Sequence, residues 1–126
     1  MNIFLIFISG MFGGLLRYSI SDYIIFSSFP LITLLINLSG AFFLPFWTDY
    51  LGAKIGFSEK YTKILGTGFI GSFTTFSGMI LDSYKLLQVH QTNLFFIYLF
   101  LNVVCGLVLA ILGDNLANHL NERKQL

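Results

Sequence analysis

The chain has 126 residues, of which 56% are hydrophobic and only 10% are charged, and its formal net charge is +1. Soluble globular domains carry about 25% charged residues. This composition therefore excludes an ordinary soluble domain and indicates a membrane protein.

Four apolar segments are long enough to cross a bilayer, which takes about 20 residues. They cover residues 3 to about 26, 31 to about 50, 61 to about 89, and the stretch from the polar turn at 90–93 to about 118. The links between them are short, so residues 1–126 are predicted to form a single all-α membrane unit. The N-terminus has neither the basic residue nor the cleavage site of a signal peptide, and the first segment is predicted to stay as a helix.

The first segment contains Arg17, the one cation well inside a predicted span. At 1.5 Å per residue, Arg17 lies about 13 Å from the segment's end near residue 26. Its side chain either extends to the interface or pairs across the bundle and supplies a positive potential for an anion pathway.

The second segment places Thr33, Asn37 and Gly40 on one helix face, at positions i, i+4 and i+7. The Asn37 amide can donate two hydrogen bonds. Such a side chain either joins helices or lines a pathway, and the sequence leaves both readings open.

The third segment contains GSFTTFSG at residues 71–78, with four hydroxyls and two glycines inside otherwise apolar sequence. Helix propensity is poor here, which predicts a break in the third helix. Non-helical backbone at membrane depth must be buried in protein or face a watery site. A break would present carbonyl oxygens to a small hard cation and N–H groups to an anion. The alternative is a Gly-rich helix packed tightly on a neighbour.

Phe76 and Met79 lie three residues apart in the same segment, with Ser77 beside Phe76. An aromatic ring has a positive edge, so a buried phenylalanine can contact an anion edge-on. Most of the fifteen phenylalanines are nevertheless expected to pack in the core or face lipid.

Four such helices are too few to enclose a polar pathway and its supporting wall, which suggests an oligomer. Spacings of small residues, Gly10 with Gly14 and Gly106 with Ala110, permit close helix contacts either between subunits or within one. Cys105 is alone, which excludes a disulfide within the chain.

The basic residues predict a single orientation. One side, shared by both termini and the second link, holds five of them, whereas the opposite side holds Lys85; the five are Lys54, Lys60, Lys63, Arg123 and Lys124. Positive loops stay in the cytoplasm. The chain is therefore predicted to be a multi-pass protein of the cell membrane with both termini in the cytoplasm.

Three motifs together resemble the small bacterial fluoride channels known as Fluc or CrcB proteins. They are GGLLRY at residues 13–18, Thr33-Leu34 followed by Asn37, Gly40 and Phe42, and GSFTTFS at residues 71–77. The resemblance covers the whole chain, and the three motifs occur in order on helices of the right number.

The resemblance implies four transmembrane helices with a break in the third, and an antiparallel (inverted) dimer with two fluoride pathways. It implies one structural sodium ion, not transported, bound by backbone oxygens of Gly71 and Thr74. Fluoride would be contacted by the Asn37 amide and the Phe76 ring edge, with Ser77 and Thr75 as nearby hydroxyls. The implied activity is passive fluoride export that lowers cytoplasmic fluoride. The implied partners are fluoride, a second subunit and membrane lipid, with no nucleic acid.

Three positions depart from the family pattern. Met79 stands where a second phenylalanine is usual, Gly106 aligns with a common serine, and Ile32 replaces a glycine. A thioether has no positive edge, so a pore lined by Met79 should hold fluoride less well. Together with the biased charges, this favours one half of a heterodimer with a paired homologue over a homodimer.

Other functions fit less well. The sequence contains no HExxH, GxSxG or nucleotide-binding glycine loop, so no enzyme activity is expected. A small proton-coupled exporter would need a carboxylate deep in the first helix, and Asp22 is too near its end. A non-conducting membrane scaffold or partner subunit is compatible with Met79 and Gly106 but leaves Asn37 and the TTFS segment unexplained.

Overall fold

The computed structural model describes residues 2–23 and 29–126. Four long apolar helices make up nearly all of these residues: α1 (Ile3–Tyr23), α2 (Leu31–Ile55), α3 (Glu59–Gln88) and α4 (Thr92–Gln125). Each has the length and hydropathy to cross a membrane. No strand occurs in the described ranges. The prediction of an all-α protein with four membrane helices is confirmed, and the predicted end of the first segment near residue 26 lies outside the described residues.

Helix α2 is longer than predicted. It continues through Pro45, and the π-helical turn Trp47–Leu51 follows this proline, which has no N–H to donate to the preceding turn. The helix ends at Ile55 and is followed by Gly56, whose φ of 94° is a left-handed conformation that glycine adopts without a steric penalty. A second π-helical turn, Gly66–Ile70, lies in α3, and a third, Leu101–Cys105, lies in α4.

Helix α4 also exceeds its predicted end near residue 118. Its 34 residues would extend about 51 Å at 1.5 Å per residue, which is well beyond the roughly 30 Å of a hydrocarbon core. The last residues, NERKQ, are mostly good helix formers, so the helix continues as its side chains become polar. The basic C-terminal end of α4 is therefore expected to lie outside the apolar layer.

Helix α3 leaves helical geometry near its middle. Thr74 has φ −76° and ψ 157°, and Thr75 has φ −147° and ψ 117°, so both residues are extended. The helix resumes at Phe76 and runs to Gln88. The Thr75 hydroxyl accepts a hydrogen bond from the Gly78 N–H at 3.0 Å, as an N-cap residue does. We call Thr74 and Thr75 the extended step.

Glycines allow the helices to approach closely within one subunit. A Cβ on Gly13 would collide with the carbonyl of Phe69 in α3, and a Cβ on Gly113 in α4 would collide with the carbonyl of Phe42 in α2. Gly14, by contrast, faces open space. The glycines at 13 and 113 thus join α1 to α3 and α2 to α4.

A small apolar core lies between α2, α3 and α4. It contains Leu34, Met79, Leu86 and Tyr98, of which Tyr98 is fully buried. The Phe29 ring packs edge-on against Tyr98, with ring centres 5.7 Å apart. Many other large apolar side chains are exposed on the outer surface, as lipid-facing helices require.

The link between α3 and α4 contains His90 in a left-handed conformation, with φ of 59°. The His90 N–H donates to the Leu87 carbonyl at 3.0 Å and the Gln91 N–H donates to the Leu86 carbonyl at 2.9 Å, which is the Schellman pattern. Glycine is preferred at this position because a Cβ is disfavoured in left-handed backbone.

Replacing His90 with glycine should therefore stabilise the protein by about 1 kcal/mol. Thermal unfolding in detergent would measure this as a higher melting temperature. The same replacement at His119, an exposed residue inside α4, should lower stability by a few tenths of a kcal/mol, because glycine is the poorer helix former. Equal effects at both positions would contradict a conformational cause.

Candidate functional site

The extended step is held in place by Asn37 on α2. The Thr75 N–H donates to Asn37 Oδ1 at 2.9 Å, and Asn37 Nδ2 donates back to the Thr75 carbonyl at 3.2 Å. A side-chain amide has the same donor and acceptor geometry as a peptide group, so it can pair with the backbone as a neighbouring strand does. Asn37 thus satisfies both polar backbone groups of a residue that has left the helix.

This pairing changes the hydrogen bonding of the helix around the step. In a continuous helix the Thr75 N–H would donate to Gly71 and the Gly78 N–H would donate to Thr74. Here the first donates to Asn37 and the second to the Thr75 hydroxyl. Within the described ranges, the Gly71 and Thr74 carbonyls therefore accept no backbone N–H. Gly71 O accepts only the Thr74 hydroxyl, at 3.3 Å.

Asn102 on α4 completes this arrangement, and the sequence did not single it out. Asn37 Nδ2 donates to Asn102 Oδ1 at 3.2 Å, and Asn102 Nδ2 donates to the Tyr98 carbonyl at 3.0 Å. Asn102 is the lone amide in the apolar run of residues 94–112. Because strongly polar side chains inside a span are costly, the isolation of Asn102 marks it in the sequence as a candidate site residue. The two asparagines connect α2, α3 and α4 through one network.

Gly40 and Thr74 set the distance between α2 and the extended step. A Cβ on Gly40 would collide with the Thr74 methyl group, so only glycine leaves room for this threonine. The single hydroxyl proton of Thr74 is shared between the carbonyls of Ile70 and Gly71, each at 3.3 Å. Thr33, on the same face of α2 one turn before Asn37, is half-buried. The face formed by Asn37 and Gly40 therefore meets the extended step directly.

The other residues predicted to line a fluoride pathway, Phe76, Ser77 and Met79, differ in their exposure. Phe76 is 75% exposed on the outer surface, and the exposed Ser77 hydroxyl lies 3.3 Å from the Thr75 hydroxyl. Met79 is only 8% exposed and packs in the core described above. The structure thus brings Asn37, Thr75 and Ser77 together and leaves Phe76 at the edge of this group. Their predicted places along a fluoride pathway, including that of Met79, remain predictions.

Arg17 lies apart from this cluster, in the second half of α1. Its side chain is half-buried, and its Nε has no hydrogen-bond partner in the part of the chain that the structure describes. No group of three or more His, Cys, Asp or Glu residues forms a metal site within residues 2–23 and 29–126. A cation at the extended step would therefore depend on carbonyl and hydroxyl oxygens.

Comparison with known proteins identifies the family. The model of the family described as "CrcB-like protein, Camphor Resistance (CrcB)" matches residues 4–114. The chain belongs to the CrcB family. All three motifs that carried the resemblance lie inside the matched residues, and so does Asn102.

Relatives of this CrcB chain are named fluoride channels. "Fluoride-specific ion channel FluC 1" of Latilactobacillus sakei is 40% identical over 104 residues, which cover 82% of this chain and 77% of that protein. One strain of Bacillus cereus has two relatives, FluC 1 and FluC 2, each 36% identical. These cover 90% and 92% of this chain, and 85% and 97% of their own lengths. The likeness thus extends over most of the CrcB chain.

Proposed function

We propose that this chain is a subunit of a fluoride-specific ion channel in the cell membrane, which lowers cytoplasmic fluoride by passive export. The observation that carries the proposal is the family match over residues 4–114, together with relatives named fluoride-specific ion channels at 36–40% identity. A membrane potential of 100 mV supplies about 2.3 kcal/mol per anion expelled, so no further energy source is needed. The proposed activity is conduction, with no chemical step.

The fluoride pathway passes the extended step. Fluoride is a strong hydrogen-bond acceptor. The Asn37 amide bonds the backbone of Thr75, and the hydroxyls of Thr75 and Ser77 lie 3.3 Å apart. The Asn37 donors bond Thr75 and Asn102 in this structure, so a passing anion would exchange with one of these acceptors. The exposed Phe76 ring would offer its positive edge to the anion at the start of the second half of α3. Met79 and the positive charge of Arg17 would modify how firmly the anion is held.

A structural sodium ion fits the oxygens of Gly71 and Thr74. Their carbonyls lack backbone donors in the described chain, and carbonyl oxygens are ligands that hard cations prefer. Two carbonyls are too few to coordinate such an ion, which commonly takes about six oxygens. Gly71 is exposed, so a second subunit related by a twofold axis could bring a second pair. This supports a dimer centred on the extended step.

The second subunit is proposed to be inverted, as a homodimer partner or as a paired homologue. An apolar cavity of about 540 Å³ beside Gly40, Ile70 and Phe73 opens to the outside and offers a surface for it. The unequal charge of the two membrane sides supports a fixed orientation with both termini in the cytoplasm. The presence of FluC 1 and FluC 2 in one Bacillus cereus strain supports the paired arrangement.

Reconstitution in liposomes tests the function. The purified chain alone should release fluoride and retain chloride if it forms a homodimer. Fluoride release only after addition of a paired homologue would establish the heterodimer. Absence of flux under both conditions would favour the non-conducting scaffold, and fluoride transport that requires a proton gradient would favour an exporter.

Replacing Phe76 with isoleucine should reduce fluoride flux about tenfold or more, because an aliphatic side chain of similar volume lacks the positive edge. The fold of the subunit should be unchanged, since Phe76 is 75% exposed in the single subunit and contributes little to its core. Phe96 on α4 is 63% exposed and provides the matched control. Phe96→Ile should leave the flux unchanged. Equal flux in both variants would remove Phe76 from the pathway.

A further inference from the structure

Two lysines from different helices hold their ammonium groups over one aromatic ring. Lys54 Nζ lies 5.3 Å and Lys124 Nζ lies 5.4 Å from the centre of the Tyr50 ring, both within the range of a cation–π interaction. Tyr50 is only 7% exposed and packs against Phe46, with ring centres 5.6 Å apart. Two positive charges from different helices thus lie close to one well-packed ring.

The fold brings these charges together through a contact between α2 and α4. Asn121 Nδ2 donates to the Asp49 carbonyl at 2.9 Å, one residue before Tyr50. This bond ties the projecting end of α4 to the π-helical turn of α2. Because this bond holds the end of α4 against α2, Lys124 lies close to Tyr50.

Neither ammonium group has a carboxylate partner among the described residues. The ion pairs in those ranges are Lys63 with Glu59 and Lys85 with Asp82. The neighbouring carboxylate of Asp49 accepts from the Thr48 hydroxyl. Like charges that lie near one ring repel each other, and a bound anion would relieve this repulsion.

The pair of lysines lies where a lipid headgroup would lie. Lys54 is near the end of α2, where its apolar span meets the polar link to α3. Trp47 and Phe57 pack together in the same region, with ring centres 5.8 Å apart, and Trp47 lines the apolar cavity that continues toward the middle of the span. Aromatic side chains of this kind mark membrane interfaces. A ligand here meets positive charge at the boundary and apolar surface below it.

We propose that Lys54, Lys124 and Tyr50 form a binding site for the headgroup of an anionic phospholipid. The two ammonium groups bind the phosphate, and the Tyr50 ring keeps both in place. The acyl chains lie at the Trp47 end of the apolar cavity, whereas the second subunit is proposed to cover its other end, at Gly40, Ile70 and Phe73. Basic pockets between membrane helices are suited to such headgroups. The site is separate from the extended step and does not depend on fluoride conduction.

Trp47 is the only tryptophan of the chain, so its fluorescence reports on neighbouring lipid. The protein would be reconstituted in phosphatidylcholine vesicles that contain either dibrominated phosphatidylglycerol or dibrominated phosphatidylcholine as the quencher. We expect stronger quenching by the anionic lipid. Lys54→Gln and Lys124→Gln should each reduce the preference about fivefold. Both leaflets contain the probe, so the orientation of the chain does not affect the result.

Lys60→Gln is the matched control, because Lys60 lies on the same side and its replacement removes the same charge, but its ammonium faces Tyr61. This variant should retain the preference of the wild type. An equal loss in Lys60→Gln would indicate a diffuse surface potential and overturn the proposal, as would equal quenching by the two lipids in the wild type. Displacement by inorganic phosphate at matched ionic strength would overturn the assignment to a lipid.

Discussion

Asn37→Leu is expected to abolish fluoride flux and to lower the free energy of unfolding by about 2–4 kcal/mol. Leucine has a similar volume but cannot bond Thr75, so the N–H and the carbonyl of that residue lose their partner at membrane depth. Asn102 also loses a donor. The extended step would then either return to helical geometry or become disordered. In helical geometry, the carbonyls of Gly71 and Thr74 would again accept backbone N–H groups.

Two measurements separate these consequences. Denaturation in mixed detergent micelles gives the change in stability, and liposome efflux gives the change in flux. Ser39→Ala is the control, since Ser39 lies on the same helix and its hydroxyl bonds only to the Ile36 carbonyl of its own turn. We expect Ser39→Ala to change stability by less than about 0.5 kcal/mol. An Asn37→Leu protein with wild-type stability would show that α2 does not hold the step in place.

Gly13→Ala is expected to have the second large effect, and the same substitution at the neighbouring Gly14 provides the comparison. A methyl group at residue 13 would collide with the backbone carbonyl of Phe69, which cannot move without displacing α3, whereas a methyl group at residue 14 meets nothing within 4 Å. We expect Gly13→Ala to cost about 2–3 kcal/mol, because overpacking at a close contact outweighs the gain in helix propensity. Gly14→Ala should be neutral or stabilising by up to about 1 kcal/mol.

Unfolding of the two variants under identical detergent conditions checks this prediction. Because the substitutions are chemically the same and lie next to each other on α1, differences in helix propensity and hydropathy cancel. A large loss of stability at both positions would place Gly14 at a contact outside the single subunit. A small effect at both would show that α1 and α3 can separate without cost.

The four helices could be predicted from sequence because apolar runs of sufficient length determine which segments lie in lipid. Their ends could not be predicted equally well. Helices α2 and α4 continue to Ile55 and Gln125, since backbone hydrogen bonding persists after the side chains become polar. The apolar pattern marks the membrane boundary, whereas the helix end depends on local caps such as Gly56.

The sequence indicated several residues of the candidate site but not the hydrogen bonds that join them. Asn37 and the GSFTTFSG segment stood out as polar groups in apolar sequence. Their pairing depends on the relative position of α2 and α3, which is set by the close contact between Gly40 and Thr74 and has no signal in a single sequence. Asn102 was detectable by its isolation, yet its partner was not. The burial of Met79 likewise depends on how α3 turns toward α4.

The extended step also changes the electrostatics of the bilayer interior. A continuous α3 would have the ends of its macrodipole near the headgroups, where water screens them. Because the first half of α3 ends at Phe73 and a new helix starts at Phe76, a negative and a positive helix end, each of about half an elementary charge, lie next to each other at mid-depth, in a medium of low dielectric constant. Both partial charges come from peptide groups, which have no proton to lose at physiological pH. Acidification or alkalinisation of the surroundings would therefore leave them unchanged.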